Sequence, residues 1–222
     1  MNATARPECS YITWDGVYAL ASSLAKKIRL SGYNPDMIVA IARGGVVPAR
    51  ILCDLFLIKD LAVLKVEHWG IAARKDKKAR LRWKLPVNVG GKKVLVVDDV
   101  ADTGDSLILT CEHIKDKNPA DLKTAVLHYK KCSAFEPDFW AEMQEAWKWI
   151  IYPWELFEDI ADFALGFLKE KPMTREELVD GLSRMLHITV GDDDVNEVLR
   201  LLASRGKIGR VRLKGRTYWR AL

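Results

Sequence analysis

Short apolar runs alternate with stretches of helical periodicity along the first two thirds of the chain. The runs lie at residues 37–42, 61–66, 85–89, 94–97, 123–129 and 149–152, and such runs are typical of buried strands. Apolar positions recur at spacings of three and four at residues 14–31, 46–57 and 105–117, which predicts helices. Strands that alternate with helices indicate an α/β fold with a doubly wound, mostly parallel sheet.

The pattern changes after Pro153 to three helices and two strands. These elements are predicted at residues 160–168, 174–186, 193–203, 207–211 and 217–222. Thr174 and Glu177 form a capping-box pattern, and Asp192 or Asp193 can cap the third helix. The two strands would be joined by a turn at residues 214–215. Three helices and a hairpin resemble a winged-helix domain.

Charge is divided unevenly between these two parts of the chain. The formal net charge is +5, and residues 205–222 carry seven basic residues and no acidic one. Residues 137–162 are instead rich in acidic and aromatic side chains. Because such asymmetry indicates units with different partners, we predict a domain of residues 1–158 and a small winged-helix-like α+β domain of residues 159–222.

Cysteine spacing and hydropathy indicate the cellular compartment in which the protein resides. The cysteines show neither metal-ligand nor paired spacing and stand at positions 9, 53, 111 and 132. No stretch reaches the roughly 18 consecutive apolar residues of a membrane span, and the N-terminus lacks the pattern of a signal peptide. We therefore expect a cytoplasmic protein with reduced thiols and no membrane partner.

The segment from Val94 to Ser106 predicts an anion site. Four apolar residues precede two carboxylates, Asp98 and Asp99, and a loop of small and hydroxylated residues then opens a helix. The N–H groups and positive dipole end of a helix N-terminus bind phosphate, and Thr103 adds a hydroxyl donor. The aspartates suit a sugar phosphate, because they can hold ribose hydroxyls or a hydrated Mg²⁺. The simpler alternative is that the aspartate pair caps the helix.

This segment closely resembles the phosphoribosyl-diphosphate (PRPP) signature of type I phosphoribosyltransferases. The resemblance implies that Asp98 and Asp99 bind the ribose and Mg²⁺, and that Asp102 is a general base near the purine N7. It also implies a 5′-phosphate site formed by Ala101, Asp102, Thr103, Gly104, Asp105 and Ser106. The implied reaction transfers the phosphoribosyl group to a nitrogen of a base and releases pyrophosphate.

A second anion site is predicted directly after the first apolar run, at Arg43-Gly44-Gly45. Two glycines allow backbone amides to line a compact anion nest, and Arg43 offers bidentate donors. In isolation the pattern is typical of an ordinary turn between a strand and a helix. By the resemblance, Ala42, Arg43, Gly44 and Gly45 form the pyrophosphate loop, and the Ala42–Arg43 peptide is expected to be cis.

A basic run at residues 74–82 lies between two predicted strands. In an isolated sequence it would be a solvated loop. The resemblance implies a catalytic loop that closes over PRPP and excludes water. Its candidates for holding the diphosphate, among which the sequence does not choose, are Lys75, Lys77, Lys78, Arg80 and Arg82.

Base recognition is predicted at Lys130, which follows the run 123–129, and at Trp149 and Ile150. This arrangement resembles the 6-oxopurine branch of the family, which includes xanthine-guanine and hypoxanthine-guanine enzymes. The resemblance implies that Lys130 donates to the purine O6, that Trp149 stacks on the ring, and that Ile150 contacts the 2-substituent through its backbone. Lys131 is an alternative to Lys130, and a tryptophan near a sheet edge can equally belong to the core.

The predicted function is a purine phosphoribosyltransferase of purine salvage, which converts PRPP and hypoxanthine, guanine or xanthine to a nucleoside monophosphate. Mg²⁺ is the expected cofactor, and the family resemblance favours a homo-oligomer. The alternative is a transcription regulator that senses PRPP or purines and binds DNA through the C-terminal domain of residues 159–222, whose basic hairpin could contact phosphates. Oligomerisation and ligand gating are further candidate roles of that domain. The sequence does not rank the three purines.

Overall fold

The computed structural model describes residues 7–68, 79–213 and 215–222. They form two compact units: unit 1 contains the described residues up to Thr13 and from Lys148 onward, and unit 2 spans Trp14–Trp147. In the described ranges, none of the helices has the length and apolar character needed to cross a bilayer. The elements in chain order are β1 (Cys9–Tyr11), α1 (Trp14–Leu30), β2 (Met37–Ala42), α2 (Val46–Phe56), β3 (Leu61–His68), β4 (Ala79–Trp83), β5 (Lys93–Ala101), α3 (Asp105–Lys115), β6 (Asp121–Lys130), β7 (Phe139–Gln144), β8 (Trp149–Ile151), α4 (Leu156–Glu170), α5 (Arg175–Leu186), α6 (Asp192–Ser204), β9 (Ile208–Leu213) and β10 (Arg216–Ala221).

Unit 2 is built around a six-stranded sheet with the order β4-β3-β2-β5-β6-β7. All neighbouring strands are parallel except β4, which pairs antiparallel with β3. Val94 and Val96 of β5 pack with Leu107 of α3, whereas the fully buried Leu95 and Val97 alternate to the opposite face. Helices α1 and α2 pack together and contact the sheet. The predicted doubly wound, mostly parallel sheet is thus confirmed.

The direction in which strands are added reverses between β2 and β5. From β2 the chain continues outward to β3, and from β5 it continues the other way to β6. At such a point the loops that leave the carboxyl ends of the two strands diverge and form a crevice, where ligands of open α/β sheets bind. The loops that leave these ends are residues 43–45 and 102–104.

The sheet differs from the sequence prediction at residues 85–89, at β7 and at β4, which lies where the end of a loop was predicted. The strand expected at residues 85–89 is wrong: Pro86 has no N–H to contribute, and the N–H of Leu85 donates to His113 Nε2 at 3.3 Å. Leu85 and Val89 are nevertheless buried in the core, which explains their apolar character. Strand β7 was not predicted, because its side chains are mostly half-exposed and form no apolar run.

Unit 1 has its own core, formed by α4, α5, α6 and two small sheets. Strand β1 pairs in parallel with β8, and β9 and β10 form the predicted antiparallel hairpin. Ile151 of β8 packs with Leu182 of α5 and Val198 of α6. Residues 149–151 are therefore a strand, as predicted, but in this sheet rather than in the sheet of unit 2. The boundary predicted between residues 158 and 159 falls within α4.

The starts of two helices in unit 1 test the capping predictions. Thr174 Oγ1 accepts the N–H of Glu177 at 3.2 Å, and Glu177 Oε2 accepts the N–H of Thr174 at 2.7 Å, which confirms the capping box. The prediction that Asp192 or Asp193 caps α6 is wrong, because Gly191 is the N-cap. The helix begins at Asp192, so its aspartates lie in the first turn, where the helix dipole stabilises negative charge.

We expect Thr174→Ala to lower the free energy of unfolding by about 1 kcal/mol, because α5 loses its N-cap acceptor. Thr174→Ser keeps a hydroxyl and should retain most of the stability. Denaturant unfolding of the two variants measures the difference. Equal losses in both variants would contradict the capping role of the hydroxyl.

Candidate active site

Two glycines bring the loop after β2 against β5 at the carboxyl edge of the sheet. A Cβ atom on Gly45 would lie 2.7 Å from Ile41 O and 2.8 Å from Asp98 Cα. A Cβ atom on Gly44 would overlap the carboxylate of Asp99. A side chain at Gly45 would therefore displace the backbone of β5, and one at Gly44 would displace the carboxylate of Asp99. The loop of residues 43–45 therefore lies against the carboxyl end of β5, the strand that leads into the second turn predicted to bind an anion.

The loop after β2 leads directly into the N-terminus of α2. Its Ala42–Arg43 peptide is cis, as the family resemblance implies, and Arg43 is exposed. Gly45 donates its N–H to Ile41 O at 3.0 Å and is the N-cap of the helix. Because a helix N-terminus presents N–H groups and the positive end of its dipole, this loop suits an anionic ligand.

The two adjacent aspartates of the sequence motif, Asp98 and Asp99, lie inside β5 and are buried. Asp98 and Asp99 are 8% and 6% exposed, and the buried Ala101 ends the strand. Asp98 Oδ1 accepts the N–H of Asp99 at 3.0 Å, and Asp99 Oδ1 accepts the N–H of Val100 at 2.7 Å. The alternative that they cap α3 is wrong, because the N-cap is Gly104.

The loop between β5 and α3 is a compact turn. Thr103 Oγ1 donates to Asp105 Oδ2 at 2.9 Å and accepts the N–H of Asp105 at 3.3 Å. Gly104 has a φ of 88°, and a Cβ atom there would lie 2.8 Å from the backbone N of Phe135. Ser106 lies in the first turn of α3. This second helix N-terminus is also suited to an anion.

Asp102 and Lys130 form an ion pair at the ends of neighbouring strands. Lys130 ends β6, and its side chain is only 4% exposed. Its Nζ lies 3.3 Å from Oδ2 of Asp102, whose side chain is 42% exposed. Lys131 is instead exposed and pairs with Glu145 at 2.8 Å. Lys130, rather than Lys131, is therefore the lysine beside Asp102.

Trp147 joins this ion pair, and sequence analysis missed it. Its Nε1–H donates to Asp102 Oδ1 at 2.9 Å, and Lys130 Nζ lies 4.4 Å from the centroid of its ring. The sequence feature that could have pointed to Trp147 is the pair of tryptophans in Trp147-Lys148-Trp149. The resemblance pointed to the second of them, whereas the indole in contact with Lys130 is the first.

His128 lies two residues before Lys130 on β6 and is 1% exposed. Burial, with a smaller contribution from the charge of Lys130, lowers the pKa of His128 to about 4. The imidazole is therefore neutral at physiological pH, and it adds no positive charge to the end of β6 beside Lys130.

Trp149 and Ile150 belong to unit 1. Trp149 Nε1–H donates to Asp159 Oδ1 at 3.0 Å, and its ring packs edge-on against Phe163 with 6.1 Å between centroids. Ile150 is buried in β8 opposite Ser10 of β1. Both residues contribute to the packing of this unit, and their roles in base binding stay predictions.

Asp159, on α4, is a carboxylate that is 7% exposed. Its Oδ2 has no hydrogen-bond partner among the described residues. Burial raises the pKa of Asp159 to about 7; the hydrogen bond from Trp149 opposes this increase, and the charges of Asp162 and Glu158 add to it. The folded protein therefore holds a proton on Asp159 at a pH where an exposed aspartate has lost it.

This proton makes the stability of unit 1 depend on pH. Between the ordinary aspartate pKa of 3.8 and about 7, the folded state binds more protons than the unfolded state, so the free energy of unfolding falls as pH rises. Asp159→Asn cannot titrate and should reduce this slope, and the raised pKa of Asp162 should leave a residual slope. Thermal unfolding across this range measures it. The exposed Asp180→Asn is the control, and an Asp159→Asn slope equal to that of the control would contradict the prediction.

Carboxylates are the metal ligands available at the crevice. Within residues 7–68, 79–213 and 215–222, no group of three or more His, Cys, Asp or Glu side chains is arranged to hold a metal ion. Asp98 and Asp99 are adjacent carboxylates, and Mg²⁺ is bound in such sites by one or two carboxylates together with substrate phosphates and water. The donor set thus fits a magnesium ion that arrives with an anionic ligand.

Only part of the basic run has a described structure. Residues 74–78, with the candidates Lys75, Lys77 and Lys78, lie outside the described residues. Arg80 and Arg82 lie on β4, each 3.9 Å from a carboxylate oxygen of Glu67 on β3. Residues 79–82 are therefore part of the sheet and not of a loop, and the predicted loop role stays a prediction for residues 74–78.

Known proteins resemble this chain in sequence and in fold. Residues 11–158 match the phosphoribosyl transferase domain model. Xanthine phosphoribosyltransferase 1 of Saccharomyces cerevisiae is 26% identical, with 72% of this chain and 96% of the relative covered. A purine phosphoribosyltransferase from Pyrococcus horikoshii has a crystal structure that aligns with a TM-score of 0.58 and 32% identity, over 66% of this chain and 93% of that one. The chain belongs to the phosphoribosyl transferase domain family.

Proposed function

We propose that the protein is a purine phosphoribosyltransferase that transfers the 5-phosphoribosyl group of PRPP to hypoxanthine, guanine or xanthine and releases pyrophosphate. The observation that carries the proposal is the crevice in which Gly44 contacts Asp99 and the Asp102–Lys130 pair lies at the end of the next strand. The relatives named as xanthine and purine phosphoribosyltransferases support this class of base.

Two helix N-termini with two carboxylates between them suit the parts of PRPP. The 5′-phosphate would bind at residues 101–106, at the start of α3, and the diphosphate at residues 42–45, at the start of α2. Asp98 and Asp99 would accept hydrogen bonds from the ribose hydroxyls. Mg²⁺, when bound with PRPP, would neutralise part of the charge of the diphosphate, and these two carboxylates would hold it through the ligand and water.

The Asp102–Lys130 pair matches one edge of a 6-oxopurine. O6 is an acceptor and faces an ammonium group, and the neighbouring N7–H is a donor and faces a carboxylate. The side-chain atoms that would make these two bonds are 3.3 Å apart, so one planar base can reach both. A 6-aminopurine would direct its amino donor at Lys130, which offers donors and no acceptor, so the pair favours oxopurines.

In the proposed reaction a ring nitrogen of the base attacks C1 of the ribose. The new nitrogen–carbon bond forms as the bond from C1 to the diphosphate oxygen breaks, and pyrophosphate leaves with the electron pair. Asp102 accepts the proton that the base loses. Positive charge grows on the ribose beside Asp98 and Asp99, and negative charge grows on the leaving group at the N-terminus of α2, so each end of the transition state meets stabilising charge.

The proposal is tested by incubating the purified protein with PRPP, Mg²⁺ and one base at a time, and by measuring pyrophosphate and nucleotide. We expect turnover with at least one of hypoxanthine, guanine and xanthine, and poor turnover with adenine. A comparison of kcat/KM among the three oxopurines ranks them. Absence of turnover with all three bases would overturn the enzyme proposal.

Asp102→Ala should lower kcat by a factor of about 10² to 10⁴, the usual contribution of a general base. The KM for PRPP should change much less, because the proposed PRPP contacts lie mainly elsewhere in residues 42–45 and 98–106. Asp116→Ala, which removes an exposed carboxylate at the other end of α3, is the matched control. An unchanged kcat in Asp102→Ala would remove this residue from the role of base.

The regulator alternative gains no support from α6. A DNA-binding use of residues 159–222 would rest on phosphate contacts of the basic hairpin, whereas the exposed first turn of α6 carries Asp192, Asp193 and Asp194. Their charge repels phosphate. The winged-helix-like character of residues 159–222, the homo-oligomer and the cytoplasmic location stay predictions.

A further inference from the structure

We propose that Trp147 is a positioning residue of the base site: its indole keeps Asp102 and Lys130 in an open arrangement that a purine can contact. The inference rests on the proposed function. It concerns a residue of the loop after β7 that contacts both side chains of the proposed base-recognising pair.

The first argument is the spacing of the ion pair. Lys130 Nζ and Asp102 Oδ2 are 3.3 Å apart, which is longer than the 2.7–2.9 Å typical of a charge-assisted hydrogen bond between such groups. In the proposed role of Trp147, the other contacts of the two side chains account for this spacing.

The second argument is that Trp147 gives each charge another partner. The indole N–H donates to Oδ1 of Asp102 at 2.9 Å, and the ring face attracts the ammonium of Lys130 at 4.4 Å. Lys130 is nearly fully buried, so without the ring it would depend more strongly on Asp102 for neutralisation. A tightly closed pair would have to be broken before a purine could bind, because the base needs the same donor and the same acceptor.

The chemistry of tryptophan suits this role in a way that smaller side chains do not. Phenylalanine offers a ring face to Lys130 but no donor to Asp102, and alanine offers neither. Trp147 is 38% exposed and is not one of the buried core residues. A graded series of variants can therefore separate the N–H from the ring without dismantling the core of unit 2.

The test measures the KM for the purine, the KM for PRPP and kcat for the wild type, Trp147→Phe and Trp147→Ala. We expect the KM for the purine to rise about tenfold in Trp147→Phe, which loses a hydrogen bond to a charged group, and further in Trp147→Ala, which also loses the ring. The KM for PRPP should change less than about twofold, since only the base contacts are disturbed. Trp14→Phe, which alters a 57% exposed indole at the start of α1, is the control and should leave all three constants unchanged.

The outcomes distinguish this inference from the proposed function. A wild type without turnover on any purine would overturn both. An active wild type with an unchanged purine KM in both variants would overturn the inference alone. A lower purine KM would also overturn it, because the indole would then be a competitor of the base rather than a support for its partners. Thermal unfolding checks that the variants are folded, and if Trp147→Ala is not, the graded comparison rests on Trp147→Phe, which keeps an aromatic ring.

Discussion

The structure of the site depends on the close approach of a strand and a loop, which the absence of side chains at Gly44 and Gly45 permits. These residues bring the start of α2 against the buried carboxylates of Asp98 and Asp99, and α3 begins just beyond the same strand. Two positive helix ends are thereby placed around two negative side chains. A ligand with anionic groups at two places and hydroxyl groups between them would match this arrangement, and the PRPP of the proposed function has these groups.

The sequence predicted the centre of the sheet better than its edges, and the physical reason is burial. β2, β5 and β6 are covered on both faces, so their residues form continuous apolar runs that few other structures require. The edge strand β7 has half-exposed side chains and lacks this signal. At residues 85–89 a strand was predicted that does not form. Leu85 and Val89 are buried in the core although their backbone is irregular. An apolar run alone does not distinguish a buried strand from a buried irregular segment.

In the site, the sequence likewise predicted some residues better than others. The residues of β5 and of the turn after it are contiguous, so the motif carries both their chemistry and their arrangement, and the family assigned from it is confirmed. Lys130 lies beside Asp102 only because β6 pairs with β5 in one register, and it was the family resemblance rather than the periodicity of the sequence that pointed to Lys130. Trp147 lies in an irregular loop. No local sequence pattern shows that Trp147, rather than Trp149 two residues later, contacts the ion pair. Tertiary packing alone assigns one indole to the ion pair and the other to Asp159.

The pairing of β1 with β8 has a consequence for the order in which the protein can acquire its structure during synthesis. Unit 2 is one uninterrupted stretch of chain, so all of its strands are available once Trp147 has left the ribosome. Cys9 is made early, but its partner across the small sheet is Trp149, and the rest of that unit's core is translated later still. Strand β1 therefore lacks its partner until β8 has been translated, and nascent chains halted before β8 should contain a folded unit 2 without unit 1.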